Sequence, residues 1–338
     1  MTAATVKGIP STVLVAPDAF KGTFSAREVT EAIADGLESA GRSVDRCPVA
    51  DGGEGTLETL APALGARIAT ATVHDPLGRE ISARFGLTAG RGPRSAAAVI
   101  EAAAASGLHH VGAYERDALA ASTFGTGELI VAAVEAGAAV VYLGVGGSAS
   151  TDGGAGAIRA IEDGGGLREA RLVVLCDVRT SFEDAARVFA PQKGAGERDV
   201  RRLTSRLHAL ARDLARDPRG LPMTGAAGGL AGGLWAALGA ELVPGAAFVL
   251  EALGFDRRMR AARAVVTGEG KLDRQSLAGK VVSEVATRAR QAGVPCHAVV
   301  GRRELDAFGA RILDLQAILE ASTLDQLQRA GRELAEMV

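Results

Sequence analysis

Cysteine is scarce: Cys47, Cys176 and Cys296 are the three in 338 residues, far apart and without a C-x-x-C pair. That excludes a disulfide frame and a thiolate zinc site, and it reads as reduced structural thiol in a cytoplasmic protein. Aromatic residues make up only 4% of the chain, too few for a base-stacking platform. The formal net charge of −2 argues against nucleic acid or an anionic membrane surface as a partner. No uncharged apolar run reaches the about 18 residues that a membrane-crossing helix needs. Met1–Ser11 has no charged start followed by a long apolar stretch, so no secretory leader is expected there. The five histidines form no H-E-x-x-H and no paired helical spacing, so each reads as satisfied or solvated. A G-x-S-x-G nucleophile elbow is missing, and so is the G-x-x-x-x-G-K-[ST] of a Walker P-loop.

What the chain does have is glycine, 44 residues of it, within a composition that is 47% hydrophobic. Short β-branched runs alternate with longer Ala-rich amphipathic segments, which is the pattern of an α/β fold. The spacing predicts strands at 12–16, 43–47, 97–101, 139–143, 172–176, 264–267, 296–300 and 313–320. Helices are predicted at 25–40, 54–64, 127–136, 154–162, 197–216, 225–239, 276–292 and 324–337. Ser25 and Glu28 make a capping box for the first helix. Residues 67–73 and 81–87 alternate apolar and polar around Asp75-Pro76-Leu77-Gly78, as an antiparallel pair does. The two ends share one texture and the middle another. The expected organisation is therefore a discontinuous domain, 1–64 plus 258–338, with a second α/β domain inserted over 65–257.

Three glycine-rich stretches carry the chemistry. Gly144–Gly156 follows a strand and precedes a helix, the layout in which backbone amides receive phosphate. Asp51-Gly52-Gly53-Glu54-Gly55-Thr56 and Thr267-Gly268-Glu269-Gly270-Lys271-Leu272-Asp273 mix glycine with carboxylates, which suits a phosphorylated ligand carrying a divalent metal. Asp18 and Lys21 leave the first strand, where ligands of open parallel sheets bind. Asp51, Glu54, Asp177, Glu269 and Asp273 also follow strands, although any one of them could equally be a helix cap or turn residue. Lys193 could anchor an anion. Phosphoryl transfer asks for these parts: cations and amides to spread charge, a carboxylate-held Mg²⁺, and an acidic base. Gly144-x-Gly146-x-x-Ala149 also partly matches a dinucleotide fingerprint, so a nicotinamide-dependent oxidoreductase acting on a small hydroxy acid is the alternative.

Longer motifs sharpen the choice. Residues 16–22 (Ala-Pro-Asp-Ala-Phe-Lys-Gly), 50–56, 124–129 (Phe-Gly-Thr-Gly-Glu-Leu) and 146–156 occur in this order. They are followed by Cys176-Asp177-Val178, 189–195, 225–230, 267–273 and Gly279-Lys280. Together they resemble the bacterial glycerate kinases of the type that phosphorylates the 2-hydroxyl, over nearly the whole chain. Two departures stand out: the connection between Ile161 and Leu172 is short, and Ser150-Thr151 replaces the usual Thr-Asn.

The resemblance implies an ATP- and Mg²⁺-dependent kinase acting on D-glycerate, with no nucleic-acid or membrane partner. It also implies two α/β domains, one flavodoxin-like and built from both termini, with the site in a cleft. On this view Lys21 and Lys193 would stabilise charge or bind the substrate carboxylate. Asp51, Glu54 and Glu269 would organise metal and phosphate, and Asp177 or Asp273 would be the base, Asp177 slightly favoured. Asp18, Gly52, Gly53, Gly146, Gly147, Ser148, Asp152, Lys271 and Lys280 complete the expected substrate and phosphate contacts.

Overall fold

The computed structural model describes residues 12–90, 95–277 and 279–338. The leader expectation at Met1–Ser11 lies outside the described residues. Among those residues there are eleven strands: β1 (Thr12–Pro17), β2 (Ser43–Arg46), β3 (Ala66–His74), β4 (Glu80–Thr88), β5 (Ala96–Glu101), β6 (Ala138–Gly144), β7 (Arg171–Leu175), β8 (Glu241–Val243), β9 (Ala264–Leu272), β10 (Cys296–Arg303) and β11 (Ile318–Glu320). They divide between two compact units, Met1–Val49 with Leu250–Val338, and Ala50–Val249.

The terminal unit holds a parallel sheet in the order β11-β10-β9-β1-β2. Counted along this unit alone, that is the 2-1-3-4-5 order of flavodoxin-like folds, whose direction of winding reverses between the first and third strands. Here the reversal falls between β1 and β9. Val13, Val15, Val266 and Val299 of the sheet bury one face against Val29, Ile33, Leu327 and Leu334 of the helices Ala26–Ser39 and Leu324–Ala335. The predicted capping box is present: the Glu28 N–H donates to Ser25 Oγ at 3.2 Å and the Ser25 N–H to Glu28 Oε2 at 2.8 Å.

The inserted unit holds a six-stranded sheet in the order β3-β4-β5-β6-β7-β8, antiparallel from β3 to β5 and parallel from β5 to β8. Its core gathers Phe85, Ile100, Leu129, Val141, Leu143, Ile161, Val174, Leu230 and Leu234. A satellite cluster of Phe182, Ala186, Ala190, Leu203 and Leu207 lies under the charged helix Glu197–Asp213.

Four expectations change. The unit boundaries fall at Val49/Ala50 and Val249/Leu250, not at 64/65 and 257/258. Helix Thr56–Leu64 packs on β3, β4 and β5, burying Leu57 and Leu60, so it belongs with the inserted unit. Helix Phe255–Arg260 buries Phe255 and Met259, and Arg258 pairs with Asp45 beside β2 at 2.6 Å, which ties it to the terminal unit. The Thr267–Asp273 stretch is no loop: β9 continues to Leu272 because β10 runs beside it, with Arg302 opposite Lys271. The predicted helix 225–239 narrows to Leu230–Leu238, and the predicted strand 313–320 becomes helix Ala307–Leu313 followed by β11.

Candidate active site

In the terminal unit the reversal point collects charge. β1 runs into Asp18, which is buried, accepts the Ala19 N–H at 2.7 Å through Oδ1, and donates its own N–H to the Gly268 carbonyl at 2.8 Å. Gly270 approaches the next turn so closely that a Cβ there would lie 3.2 Å from the Phe20 Cα, one residue before Lys21. Between these glycines Glu269 is 8% exposed, and its Oε1 has no hydrogen-bond partner among the described residues. Burial pushes the Glu269 carboxyl up to about 7; the Ser276 hydroxyl, Lys280 and Lys21 work against that and Asp273 adds to it. Lys21, Glu269, Asp273 and Lys280 therefore share one electrostatic neighbourhood. Lys271 is engaged elsewhere, with Glu304 at 2.7 Å and Asp273 at 3.4 Å. Asp273 Oδ1 accepts the Gln275 N–H at 2.8 Å.

In the inserted unit, the Asp51–Glu54 loop lies across the carboxyl ends of the parallel strands. Gly52, at φ +85°, sits on β7: a Cβ there would lie 2.8 Å from the Leu175 carbonyl oxygen, so both its conformation and its surroundings require glycine. A Cβ on Gly144 would fall 2.5 Å from the Gly52 carbonyl oxygen, and the Gly146 N–H donates to that same carbonyl at 3.4 Å. The two glycine-rich loops thus meet backbone to backbone. Asp51 Oδ1 accepts the Gly53 N–H at 2.9 Å, while Glu54 is exposed.

Most of Gly144–Gly156 is turned inward. Gly147 is exposed and Gly146 half-buried, whereas Ser148, Ser150, Thr151 and Asp152 are buried. The Ser148 and Ser150 hydroxyls pair at 2.8 Å, and the Ala149 N–H donates to the Ser106 carbonyl at 2.9 Å. Gly147 is the exposed residue of this stretch, and its N–H has no hydrogen-bond partner among the described residues.

Three of the expected site residues make bracing contacts. Asp152 Oδ2 accepts the Thr123 N–H at 2.9 Å, the Thr123 hydroxyl at 2.8 Å and the Gly156 N–H at 3.2 Å, while Oδ1 accepts the Gly154 N–H at 3.0 Å. It pins the starts of helices Phe124–Glu135 and Ala155–Asp163 together. Asp177 accepts the Gly245 N–H at 2.6 Å and the Ala246 N–H at 2.9 Å, one on each oxygen, at the start of helix Gly245–Ala252. Lys193 is 2% exposed and its amine donates to the Ser150 carbonyl. Among the described residues no group of three or more His, Cys, Asp or Glu is gathered closely enough to hold a metal.

Glu101, at the end of β5, went unnoticed in the sequence. Its Oε1 accepts the Leu57 N–H at 2.8 Å at the start of helix Thr56–Leu64, and burial raises its carboxyl. A glutamate closing an Ala/Val/Ile strand was the available signal. The histidine expectation holds for His74, which pairs with Glu128 Oε1 at 2.9 Å, and for His110, bonded to the Ala104 carbonyl at 3.0 Å. His297 differs: it is buried and its Nδ1 has no partner among the described residues.

Glycine-rich and acidic segments at the carboxyl ends of parallel strands, with a free-standing glycine tip and a lysine–carboxylate cluster, define an α/β enzyme that handles phosphate. A dinucleotide fold would open its helix within the Gly144–Ala149 pattern; here the helix begins only at Ala155. The family model described as "Glycerate kinase family" matches residues 13–163 and 165–337. Glycerate 2-kinase of Escherichia coli (strain K12) is 35% identical over 372 residues, covering 96% of this chain and 97% of that protein. Glycerate kinase of Bacillus subtilis (strain 168) is 39% identical over 336 residues, covering 87% and 86%. A crystal structure assigned as glycerate kinase 2 from Salmonella typhimurium LT2 shares the fold at a TM-score of 0.79 and 33% identity, covering 97% of this chain and 98% of that one. The chain belongs to the glycerate kinase family. It is a kinase with ATP as co-substrate, and none of these relatives supports an oxidoreductase.

Proposed function

We propose that this kinase transfers the γ-phosphoryl group of ATP to the 2-hydroxyl of D-glycerate, giving 2-phospho-D-glycerate and ADP, in the cytoplasm. The observation that carries the reading is the joining of the Asp51–Glu54 and Gly144–Gly156 loops at Gly52 and Gly146, which leaves the exposed Gly147 as a backbone tip for phosphate oxygens. Lys21 and Lys280, beside Glu269, are cations of the kind that stabilise charge on transferring oxygens.

Mg²⁺ arriving on the nucleotide keeps several waters and needs only one or two protein carboxylates. The unpartnered Oε1 of Glu269 fits that demand without a protein cage. Bound there, the ion would neutralise charge on the β- and γ-phosphate oxygens. Of the two carboxylates named as base, Asp273 suits the role better, because it stands beside Lys21, Lys280 and Glu269, whereas both oxygens of Asp177 accept amides of helix Gly245–Ala252. Asp273 would take the 2-hydroxyl proton as that oxygen bonds to phosphorus and the bond to ADP breaks.

Phosphorus NMR of the product from D-glycerate, ATP and Mg²⁺ tests activity and regiochemistry together. A 2-phosphate resonance is expected. A 3-phosphate product, or no turnover, would overturn the proposal.

A further inference from the structure

Lys193 closes the short turn Pro191–Lys193. That turn is itself fixed: the Lys193 and Ala195 N–H groups donate to the Ala190 carbonyl at 2.9 and 3.1 Å, and Ala190 is buried against Phe182, Leu203 and Leu207. Arg116 Nη1 reaches the Gln192 carbonyl at 3.4 Å. The amine at the far end is enclosed and bonded to the carbonyl of Ser150. Gly228 presses on the same carbonyl, since a Cβ there would lie 2.2 Å from the Ser150 oxygen, and the Gly153 N–H bonds to the Gly228 carbonyl at 3.1 Å.

Ser150 is thus gripped from two sides, while its own N–H and hydroxyl bond to Ser148 Oγ at 3.1 and 2.8 Å. Next to it the Thr151 hydroxyl is buried and has no hydrogen-bond partner among the described residues. A substrate-binding cation needs an open path to its anion, and Lys193 has none in this arrangement. Burial accordingly pushes its amine down to about 7, opposed only by the nearby Asp152 carboxylate.

We infer that Lys193 is a positioning residue: by holding the Ser150 carbonyl it sets the path of Ser148–Thr151, and through it the Gly147 tip that receives nucleotide phosphate. The inference rests on the phosphate-loop reading given above. It predicts damage to nucleotide binding, with the acceptor substrate spared.

The test compares wild type, Lys193→Met and Lys193→Gln by calorimetric MgATP binding, D-glycerate KM and thermal unfolding. Lys193→Met keeps the side-chain length without the donor. It should remain folded and bind MgATP about tenfold or more weakly, the usual effect of losing a hydrogen bond from a charged donor. Its D-glycerate KM should stay within about twofold. Lys193→Gln, which keeps an N–H donor, should recover part of the nucleotide affinity; if Lys193→Met does not fold, Lys193→Gln decides by the same two constants. Unchanged MgATP affinity, or a loss confined to D-glycerate, overturns the inference alone. Failure of wild type to bind MgATP overturns the phosphate-loop reading and the inference with it.

Discussion

Gly146 lies directly over Gly53: a Cβ on Gly146 would stand 2.5 Å from the Gly53 Cα. The obstacle is backbone, which cannot rotate aside as a flexible side chain does. Gly146→Ala must therefore part the two glycine-rich loops. We expect a loss of about 1–3 kcal/mol in stability from overpacking. The fall in kcat/KM should exceed anything produced by Gly196→Ala, where φ is −78° and the added Cβ meets nothing nearer than the Asp199 carboxylate at 3.8 Å. Denaturant unfolding and steady-state kinetics on the two variants check this. Equal kinetic effects would mean that the Gly146–Gly53 contact does not shape the site.

Lys21 is exposed on the turn after β1 and lies within electrostatic reach of the buried Glu269. Replacing it should leave the fold intact while removing a cation from the transferring phosphate. Lys21→Ala is expected to lower kcat by about 10²-fold or more, the scale of a lost charge-stabilising group. Circular dichroism and turnover of the purified variant decide it. Near-normal turnover would remove Lys21 from the site.

Much of this was legible in the sequence, and the limits have a physical cause. A terminal α/β unit followed from the shared texture of the two ends, its flavodoxin-like order from the resemblance, and the capping box at Ser25 and Glu28 from residue types alone. The roles of Asp152, Asp177 and Lys193 did not follow. A carboxylate that binds a ligand and one that caps a helix are the same residue type at the same strand-end position, and only the amides around Asp177 separate the two. β9 was cut short at Thr267 because glycine usually ends a strand. Here glycine lets neighbours close in: a Cβ on Gly268 would fall 2.2 Å from the Val299 carbonyl oxygen, and pairing runs on to Leu272.

Asp152 gives the sharpest contrast between structural and chemical carboxylates. Four donors from Thr123, Gly154 and Gly156 converge on its two buried oxygens. Asp152→Asn turns an NH₂ group toward some of them and leaves donors facing donors. The expected cost is about 2 kcal/mol or more, since a buried charged acceptor is lost and its partners stay unpaired. Urea unfolding measures it. An Asn variant as stable as wild type, yet inactive, would return Asp152 to the list of ligand contacts.

Glu269 ties stability to pH in the metal-free protein. Its carboxyl stands at about 7 in the folded state against an ordinary 4.5, because burial outweighs help from Ser276, Lys280 and Lys21. Between those values the folded chain binds the proton more tightly than the unfolded chain does. Stability therefore falls as pH rises through this window, and the cost is complete above pH 7. Glu269→Gln removes the titration. With EDTA present, the variant should gain on wild type as pH goes from 4.5 to 8, by at most about 3 kcal/mol. Added Mg²⁺ and ATP should narrow the gap, because only the carboxylate offers an anionic oxygen to the ion. Paired unfolding curves across that range carry the test. A difference that stays constant with pH would show that Glu269 titrates normally and that its buried oxygen is no reserve for a cation.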